Sequence, residues 1–304
     1  MGELRFDGRV AIVTGAGGGL GREHALLLAS RGASVVVNDL GGAVDGTGSS
    51  SAPAEQVVAE IRSAGGIAVA DANSVATPEG GEAIVRAALD AFGGVDILVN
   101  NAGVLRDRTF SKMDADTWDA VIAVHLGGAM CVTLPAWRHM RERGYGRIVT
   151  TTSNSGLFGN FGQSAYGAAK MGLVGLTRVL AQEGARDGIT VNAVAPMART
   201  RMTEQLLGRL ADRLDPALVS PVVAFLAHEE CTVTGEVLSC GGGRVARVFV
   251  GVTPGWFDPA LRPESVRDRW DQIHDETGST VPRSVTEELA LLRAHLQVGS
   301  GARS

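Results

Sequence analysis

Cysteine is scarce in this sequence, whose 304 residues include only Cys131, Cys231 and Cys240. An odd number of cysteines without a Cys-x-x-Cys pair argues against a disulfide framework and against a zinc site. We therefore expect no metal, and the usage fits a reducing compartment. Basic residues are also few, because 28 Lys and Arg stand against 33 Asp and Glu. Without a basic surplus, nucleic acid is not an expected partner.

Long apolar runs and targeting signals are missing as well. No stretch of ~18 consecutive apolar residues occurs, so we expect no membrane span. Residues 1–9 are charged and lack the apolar core of a signal peptide, and residues 301–304 are not a peroxisomal address. The cytoplasm is therefore the expected compartment.

Glycine, in contrast, is abundant, with 41 residues that cluster in short turns. Between these turns, short apolar runs alternate with helical stretches over residues 1–250. Such runs suit buried parallel strands, and repeated βα units predict an α/β fold with a doubly wound parallel sheet. The strand candidates are residues 10–13, 34–37, 67–70, 97–99, 147–151, 190–194 and 236–239.

Residues 251–304 differ in composition and form a predicted C-terminal tail with short helices. Four prolines punctuate it, and Leu289, Leu292 and Leu296 make an apolar stripe at helical spacing. A helix with such a stripe needs a partner surface. We expect the tail to pack on the main domain or on a second subunit.

A glycine-rich turn, TGAGGGLG at residues 14–21, lies between the first strand and a helix predicted over residues 21–30. It does not match the common GxGxxG fingerprint, and its spacing is TGxxxGxG. Glycines let a backbone approach a pyrophosphate, and a helix N-terminus offers unpaired N–H groups and a positive dipole end. The turn therefore predicts a dinucleotide site that includes Gly15, Gly19, Leu20 and Gly21.

Asp39 follows the second strand candidate, 20 residues after Gly19. An acid in this place accepts hydrogen bonds from the ribose hydroxyls of NAD and repels the 2′-phosphate of NADP. Leu40 follows it, so no arginine is at hand for that phosphate. The interpretation is NAD binding, and the alternative is an aspartate that only caps a turn.

Tyr166 and Lys170 form a Tyr-x-x-x-Lys pair in a helix predicted over residues 163–180. Their spacing places both side chains on one helix face, where we expect the ammonium to lower the pKa of the phenol. Such a tyrosine can exchange a proton with an alcohol or a ketone. Ser153, at the end of the preceding strand, can hold the reacting oxygen.

Together these residues resemble the short-chain dehydrogenase/reductase family. The turn at residues 14–21, the Asn-Asn-Ala-Gly at residues 100–103 and the Ser153, Tyr166, Lys170 set match its motifs over roughly residues 6–250. The resemblance implies one Rossmann-type domain of about seven strands and hydride transfer between a nicotinamide and an alcohol or ketone carbon. It also implies further cofactor contacts from Asn73, Ser74, Asn101, Ala102, Gly103, Tyr166, Lys170, Pro196 and Thr200, with residues 196–202 covering the nicotinamide.

Four stretches carry a narrower resemblance: RFDGRV at residues 5–10, VNDLGG at 37–42, LRDR at 105–108 and GNFGQ at 159–163. They are similar to the (3R)-hydroxyacyl-CoA dehydrogenase unit of type 2 peroxisomal multifunctional enzymes, also called type 4 17β-hydroxysteroid dehydrogenases. This implies oxidation of a (3R)-hydroxyacyl-CoA, with a fatty or steroid side chain, by NAD. The family also implies a homo-oligomer, a dimer or a tetramer.

Other functions stay open at this point. They are a hydroxysteroid or other secondary-alcohol dehydrogenase, a 3-oxoacyl reductase, and a catalytically silent NAD-binding scaffold. Asp39 argues against a reductase that uses NADPH, and the intact Ser153, Tyr166, Lys170 set argues against a scaffold.

Several residues have two interpretations each. His125 stands where the family often has Asn, and is either a packing histidine or an acid/base group. Phe158 and Gln163 either shape the substrate site or pack their loop. Arg106 and Arg108 either attract the phosphates of a CoA ester or are loop charges and interface ion pairs. The Gly- and Ser-rich residues 41–51 are expected to form a surface loop.

Overall fold

The computed structural model of the chain describes residues 2–200 and 212–300. It divides into two compact units, Met1–Arg247 and Val248–Ser304, here called unit 1 and unit 2. The predicted domain boundary after residue 250 lies close to this division.

Unit 1 is built on one sheet with the strand order β3-β2-β1-β4-β5-β6-β7-β8. Strands β1 to β7 pair in parallel, which confirms the predicted doubly wound α/β fold. The strands are β1 (Val10–Thr14), β2 (Ser34–Asn38), β3 (Ile67–Asp71), β4 (Ile97–Asn100), β5 (Gly146–Thr151), β6 (Ile189–Pro196), β7 (Val237–Gly241) and β8 (Arg244–Val248).

The sheet has one strand more than the expected seven. β8 follows β7 directly after Gly242 and Gly243, which both have positive φ, as suits a tight turn. Its side chains are exposed or half-buried, so it lacks the continuous apolar run that marks the buried strands.

Helices connect the strands. They are α1 (Gly19–Ser30), α2 (Ala52–Ser63), α3 (Pro78–Phe92), α4 (Ala115–Ile122), α5 (Gly128–Arg143), α6 (Asn154–Phe158), α7 (Ser164–Gly184) and α8 (Ser220–Ala227). A π-helical turn, Ala123–Gly127, joins α4 to α5. The resulting run, Ala115–Arg143, is long and apolar enough to cross a membrane by composition, but half of its apolar window is buried inside the protein. It is therefore placed as a core helix.

Alternate residues of the central strands face two separate apolar clusters. Val13 and Val37 belong to the cluster beneath α1, α2 and α8, while Ile12 and Val36 belong to the cluster beneath α3 and α5. Because a parallel sheet is covered on both faces, its strands are apolar throughout. The functional groups of unit 1 therefore lie at the ends of the strands.

Unit 2 contains α9 (Pro263–Asp268), α10 (Trp270–His274) and α11 (Val285–Ser300). Val252 and Thr280 exchange both backbone hydrogen bonds, each of 2.9 Å. The predicted stripe, Leu289, Leu292 and Leu296, lies on α11 and is exposed. Its partner surface stays a prediction.

Gly21 of α1 packs closely against Gly15 in the turn that precedes the helix. A Cβ built on Gly21 would lie 2.2 Å from the carbonyl oxygen of Gly15, so an added methyl forces the backbone apart. We expect Gly21→Ala to lower the free energy of unfolding by ~1–3 kcal/mol, measured by urea or thermal unfolding. Ser30→Ala, at the exposed end of the same helix, should change it by less than ~0.5 kcal/mol. Equal stabilities for the two variants would contradict the close contact.

Candidate active site

A cavity of about 320 Å³ opens at the carboxyl ends of the strands, where the strand order reverses between β1 and β4. This switch point is where open α/β sheets bind ligands. Of the predicted site residues, the following line the cavity: Gly15, Gly19, Leu20, Asp39, Asn73, Ser74, Asn101, Ala102, Gly103, Ser153, Tyr166, Lys170, Pro196 and Thr200. Gly21, Phe158 and Gln163 do not.

The glycine turn forms the floor of the cavity. Gly15 has φ +64, and a Cβ on it would lie 2.7 Å from Cα of Ala102. Gly18 caps α1 without any side-chain hydrogen bond, so the first N–H groups of the helix are available to an anion. A dinucleotide pyrophosphate fits this turn, because no side chain at Gly18 or Gly19 covers the first N–H groups of the helix.

Asn101 fixes the turn to the end of β4. Its amide Nδ2 donates to the carbonyl oxygens of Thr14 at 3.0 Å and Gly15 at 3.1 Å. The hydroxyl of Thr14 accepts in return from the backbone N–H of Asn101 and of Ala102. These four bonds hold the two cofactor motifs in one arrangement.

Asp39 both caps a turn and faces the cavity, so its two interpretations are compatible. Its Oδ2 accepts from the N–H of Gly17 at 2.8 Å, and its Oδ1 accepts from the N–H of Gly41 at 2.6 Å. Each carboxylate oxygen has a further lone pair for a ribose hydroxyl. Arg22, on the neighbouring helix α1, is engaged by Glu23 and Glu60.

Asp71 holds the site residue Asn73 in place, a role that the sequence did not reveal. It is buried at the end of β3, where its Oδ1 accepts from Asn38 at 2.7 Å and its Oδ2 accepts from Nδ2 of Asn73 at 2.7 Å. This bond turns the amide of Asn73 so that its oxygen is left as an acceptor. The geometry suits the predicted cofactor contact of Asn73, because the free oxygen can accept from the amino group of an adenine.

Ser153, Tyr166 and Lys170 converge from two elements. Ser153 follows β5 and is the N-cap of α6, while Tyr166 and Lys170 lie one turn apart on α7. The Ser153 hydroxyl lies near the Tyr166 phenol and lowers the pKa of that phenol. Lys170 is buried, its Nζ donates to the carbonyl oxygen of Thr151 at 2.6 Å, and that nitrogen lies 5.6 Å from the centre of the Tyr166 ring.

The expectation that Lys170 lowers the pKa of Tyr166 is wrong for this structure. Burial raises the pKa of Tyr166 above its ordinary 10, against the lowering effect of the Ser153 hydrogen bond, and the charge of Asp107 raises it further. Burial lowers the pKa of Lys170 to about 7. Burial thus works against the charged form of both groups.

His125 lies on the π-helical turn, a feature common at functional sites. Its ring meets that of Tyr166 edge to face, with 5.0 Å between centroids, and its Nε2 hydrogen-bonds the carbonyl oxygen of Val104 at 2.7 Å. Burial, followed by the charge of Lys170, lowers the pKa of His125 to about 3. The neutral ring favours the packing interpretation over an acid/base role.

The structure gives Gln163 a different position from the predicted one. The residue is buried, its Nε2 donates to Oδ2 of Asp107 at 2.7 Å, and its Oε1 accepts from Asn160 at 3.0 Å. The amide is thus occupied by its own loops, and loop packing is the interpretation that the contacts favour. Phe158 is 71% exposed outside the cavity lining, and its substrate contact stays a prediction.

Residues 41–51, called the strap below, are more than the expected surface loop. Strap residues Gly42, Ala43, Val44, Asp45 and Gly46 line the cavity. The carbonyl oxygen of Val44 accepts from the N–H of Leu105 at 2.9 Å, and that of Asp45 accepts from Nε of Arg106 at 2.7 Å. Composition alone, rich in Gly and Ser, carries no signal of these contacts.

These contacts also bear on the two loop arginines. Arg106 anchors the strap, and Arg108 pairs with Asp114 at 2.5 Å.

Of the segment predicted to cover the nicotinamide, Pro196 and Thr200 line the cavity, whereas residues 201 and 202 lie outside the described residues.

The buried lysine predicts a pH dependence of stability. Since its pKa falls from 10.5 to about 7 on folding, the unfolded chain binds the extra proton between these values. The free energy of unfolding should therefore gain a contribution that rises with pH across this window. We expect Lys170→Met to abolish that rise in urea unfolding from pH 7 to 10. Lys112→Met removes the other lysine of the sequence, which is exposed, and should keep the rise; loss in both variants would contradict the assignment.

Comparison with known proteins agrees with this geometry. The short chain dehydrogenase family matches residues 9–209. A short-chain type dehydrogenase/reductase of Mycobacterium tuberculosis is 56% identical over 275 residues, 90% of this chain and 96% of the relative. Peroxisomal multifunctional enzyme type 2 of Mus musculus is 48% identical over 289 residues, 93% of this chain and 39% of that enzyme.

The solved structure of full-length peroxisomal multifunctional enzyme type 2 from Drosophila melanogaster is also similar. It has a TM-score of 0.82 and 40% identity, covering 97% of this chain and 50% of that one. This chain thus spans half or less of these two multifunctional enzymes, and the narrower resemblance to them is confirmed. By its sequence, fold and assembled motifs, the chain is an oxidoreductase that belongs to the short-chain dehydrogenase family.

Proposed function

We propose that this chain is an NAD-dependent (3R)-hydroxyacyl-CoA dehydrogenase that oxidises the 3-hydroxyl group to a ketone. The observation that carries the proposal is the convergence of Ser153, Tyr166 and Lys170 with the glycine turn and Asp39 around one cavity. The substrate class rests on the similarity to peroxisomal multifunctional enzyme type 2.

The residues divide the work as follows. Ser153 and Tyr166 hold the substrate oxygen between their two hydroxyls, and the Tyr166 phenolate takes the hydroxyl proton as the C–O bond gains double-bond character. Lys170, fixed by its bond to Thr151, keeps at least one further N–H group for orienting a ribose. Bound NAD supplies the hydride acceptor. In the reverse direction the Tyr166 phenol returns the proton to the ketone oxygen.

The choice of NAD over NADP is supported by charge. Asp39 and Asp45 both line the cavity, and a nearby carboxylate repels a 2′-phosphate. Hydrogen bonds from Thr47 lower the pKa of Asp45, which keeps it anionic. Arg106 also lines the cavity, where its Nε donates to the carbonyl oxygen of Asp45.

The setting of the enzyme is part of the proposal. Its motifs and acidic composition support a cytoplasmic enzyme of lipid metabolism. Apolar side chains are exposed on two long helices, Met130 and Leu134 on α5 and Met171 and Val179 on α7. Such a patch fits a homo-oligomer, because exposed apolar faces mark interfaces.

A substrate panel tests the function. (3R)-hydroxyacyl-CoA esters of short, long and steroid-linked chains, a free hydroxysteroid and an acyl-carrier-protein ester are each assayed with NAD and NADP. We expect oxidation of a (3R)-hydroxyacyl-CoA with NAD at a kcat/KM at least ~10-fold above that with NADP. Preference for the free steroid, or for NADPH in the reductive direction, overturns the proposal in favour of the corresponding alternative.

Tyr166 is the residue whose loss should abolish the chemistry. We expect Tyr166→Phe to lower kcat by ~10²–10⁴-fold, because the phenolic proton acceptor is removed. NADH affinity, read by fluorescence, should stay within about threefold. Tyr145→Phe changes the only other tyrosine, which lies against Arg9 and Arg147 outside the cavity lining, and should keep full turnover. Retained turnover in Tyr166→Phe contradicts the mechanism.

A further inference from the structure

Ser153 is bonded to the five-residue helix α6 by both its side chain and its backbone. It is the N-cap of that helix, and its Oγ accepts from the N–H of Ser155 at 3.2 Å. Its carbonyl oxygen accepts from the N–H of Gly156 at 3.0 Å and from the N–H of Leu157 at 3.1 Å. A shift of α6 therefore carries the serine with it.

The helix α6 has no buried side chain to hold it in place. None of its five residues is buried, and Phe158 at its end is exposed. Gly159 follows with φ +79 and ends the helix. A helix this short has little stability of its own. Its position therefore depends on the surface against which it packs.

That surface is the turn of α7 that carries Lys170. A Cβ built on Gly156 would lie 2.8 Å from Cβ of Lys170, 2.9 Å from the backbone nitrogen of Met171 and 3.0 Å from the carbonyl carbon of Lys170. From the other side, a Cβ built on Gly167 would lie 3.3 Å from the carbonyl oxygen of Ser155. The two helices thus meet backbone to backbone, and a glycine on each allows the approach.

The α7 side of this contact is held firmly by the sheet. The carbonyl oxygen of Lys170 accepts from the hydroxyl of Thr152 at 2.6 Å, and its Nζ donates to the carbonyl oxygen of Thr151 at 2.6 Å. Ala169 and Leu173 of the same helix are buried. Because packed interiors yield little, a methyl group added to the glycine of α6 displaces α6 rather than α7.

We propose that Gly156 is a positioning residue for Ser153: without a side chain it lets α6 rest on the lysine turn, and this contact sets the gap between the Ser153 hydroxyl and the Tyr166 phenol. One substrate oxygen has to reach both hydroxyls across that gap. A displaced serine leaves the substrate bound but removes one of the two groups at the reacting oxygen. The kinetic consequence rests on the proposed function, whereas the contact between the helices does not.

Two substitutions obstruct the approach to different extents. Gly156→Ala places a methyl group 2.9 Å from a backbone atom of α7, whereas Gly167→Ala makes a milder contact of 3.3 Å at the same crossing. Ser155→Ala removes a hydroxyl from α6 without adding an atom, and Ser155 does not line the cavity, so this variant is the matched control. Far-ultraviolet circular dichroism and NADH fluorescence establish that each variant is folded and binds cofactor.

The first measurement is thermal unfolding, which tests the contact without any substrate. Alanine is favoured over glycine inside a helix, so Gly156→Ala would raise Tm if the site had open space. The close approach predicts the reverse, with Tm lowered by several degrees, and Ser155→Ala should stay within about two degrees of wild type. An unchanged or higher Tm in Gly156→Ala overturns the contact. Failure of Gly156→Ala to fold supports the contact, and Gly167→Ala then replaces it in the kinetics.

The second measurement is a double-mutant cycle in kcat, made with the alcohol of the substrate panel that wild type oxidises fastest. We expect Gly156→Ala to lower kcat ~10–100-fold, with KM for the cofactor within about twofold of wild type. Ser155→Ala should keep kcat within about twofold. In a Ser153→Ala background, Gly156→Ala should lower kcat by less than ~3-fold, because the group that it misplaces is already absent.

A purely structural role of Gly156 predicts a different result, since a general loss of folded protein lowers kcat equally in both backgrounds. Multiplied effects of Gly156→Ala and Ser153→Ala, or a kcat of Gly156→Ala equal to that of wild type, overturn the proposal. Gly167→Ala should show a smaller loss of kcat with the same dependence on Ser153. Oxidation of other alcohols without any oxidation of a (3R)-hydroxyacyl-CoA counts against the proposed function alone.

Discussion

The hydrogen bond from Lys170 to the Thr151 carbonyl oxygen is the interaction on which the site depends. It joins α7 to the last residue of β5 at 2.6 Å, and a second bond, from the Thr152 hydroxyl to the carbonyl oxygen of Lys170, runs back at 2.6 Å. A buried amine is costly unless it is hydrogen-bonded. The position of Tyr166 therefore follows from how the sheet ends, because the same helix turn carries both residues.

The cofactor side of the site is held together by close backbone packing and hydrogen bonds rather than by charged side chains. Gly15, Gly21 and Ala102 approach one another so closely that no side chain fits between them, and the Thr14–Asn101 bonds lock that approach. Such packing offers N–H groups to an anion without a cationic side chain. The catalytic half of the site thus depends on a desolvated amine, whereas the cofactor half depends on exposed backbone dipoles.

The sequence predicted the parallel sheet and fourteen of the residues that line the cavity, because both arise from short, contiguous signals. Apolar runs identify β1 to β7, and fixed spacings identify Ser153, Tyr166 and Lys170. What it missed depends on contacts between distant segments. The role of Asp71 arises from pairing of β2 with β3, that of Gln163 from the approach of Asp107, and that of the strap from bonds to residues 105 and 106. The raised pKa of Tyr166 was missed for the same reason, since burial is a property of the folded whole.

The few bonds that hold the strap determine how easily one wall of the cavity can move. It is closed at its base by the bond from Ser50 to Leu40 and joined to Leu105 and Arg106 by two further bonds, yet it has little apolar side-chain area to bury. A few hydrogen bonds of ~1 kcal/mol each hold it, so local opening costs far less than unfolding the sheet. One wall of the cleft is thereby held more weakly than the sheet and helices that carry the catalytic residues, and amide hydrogen exchange along the strap reports how often its bonds open.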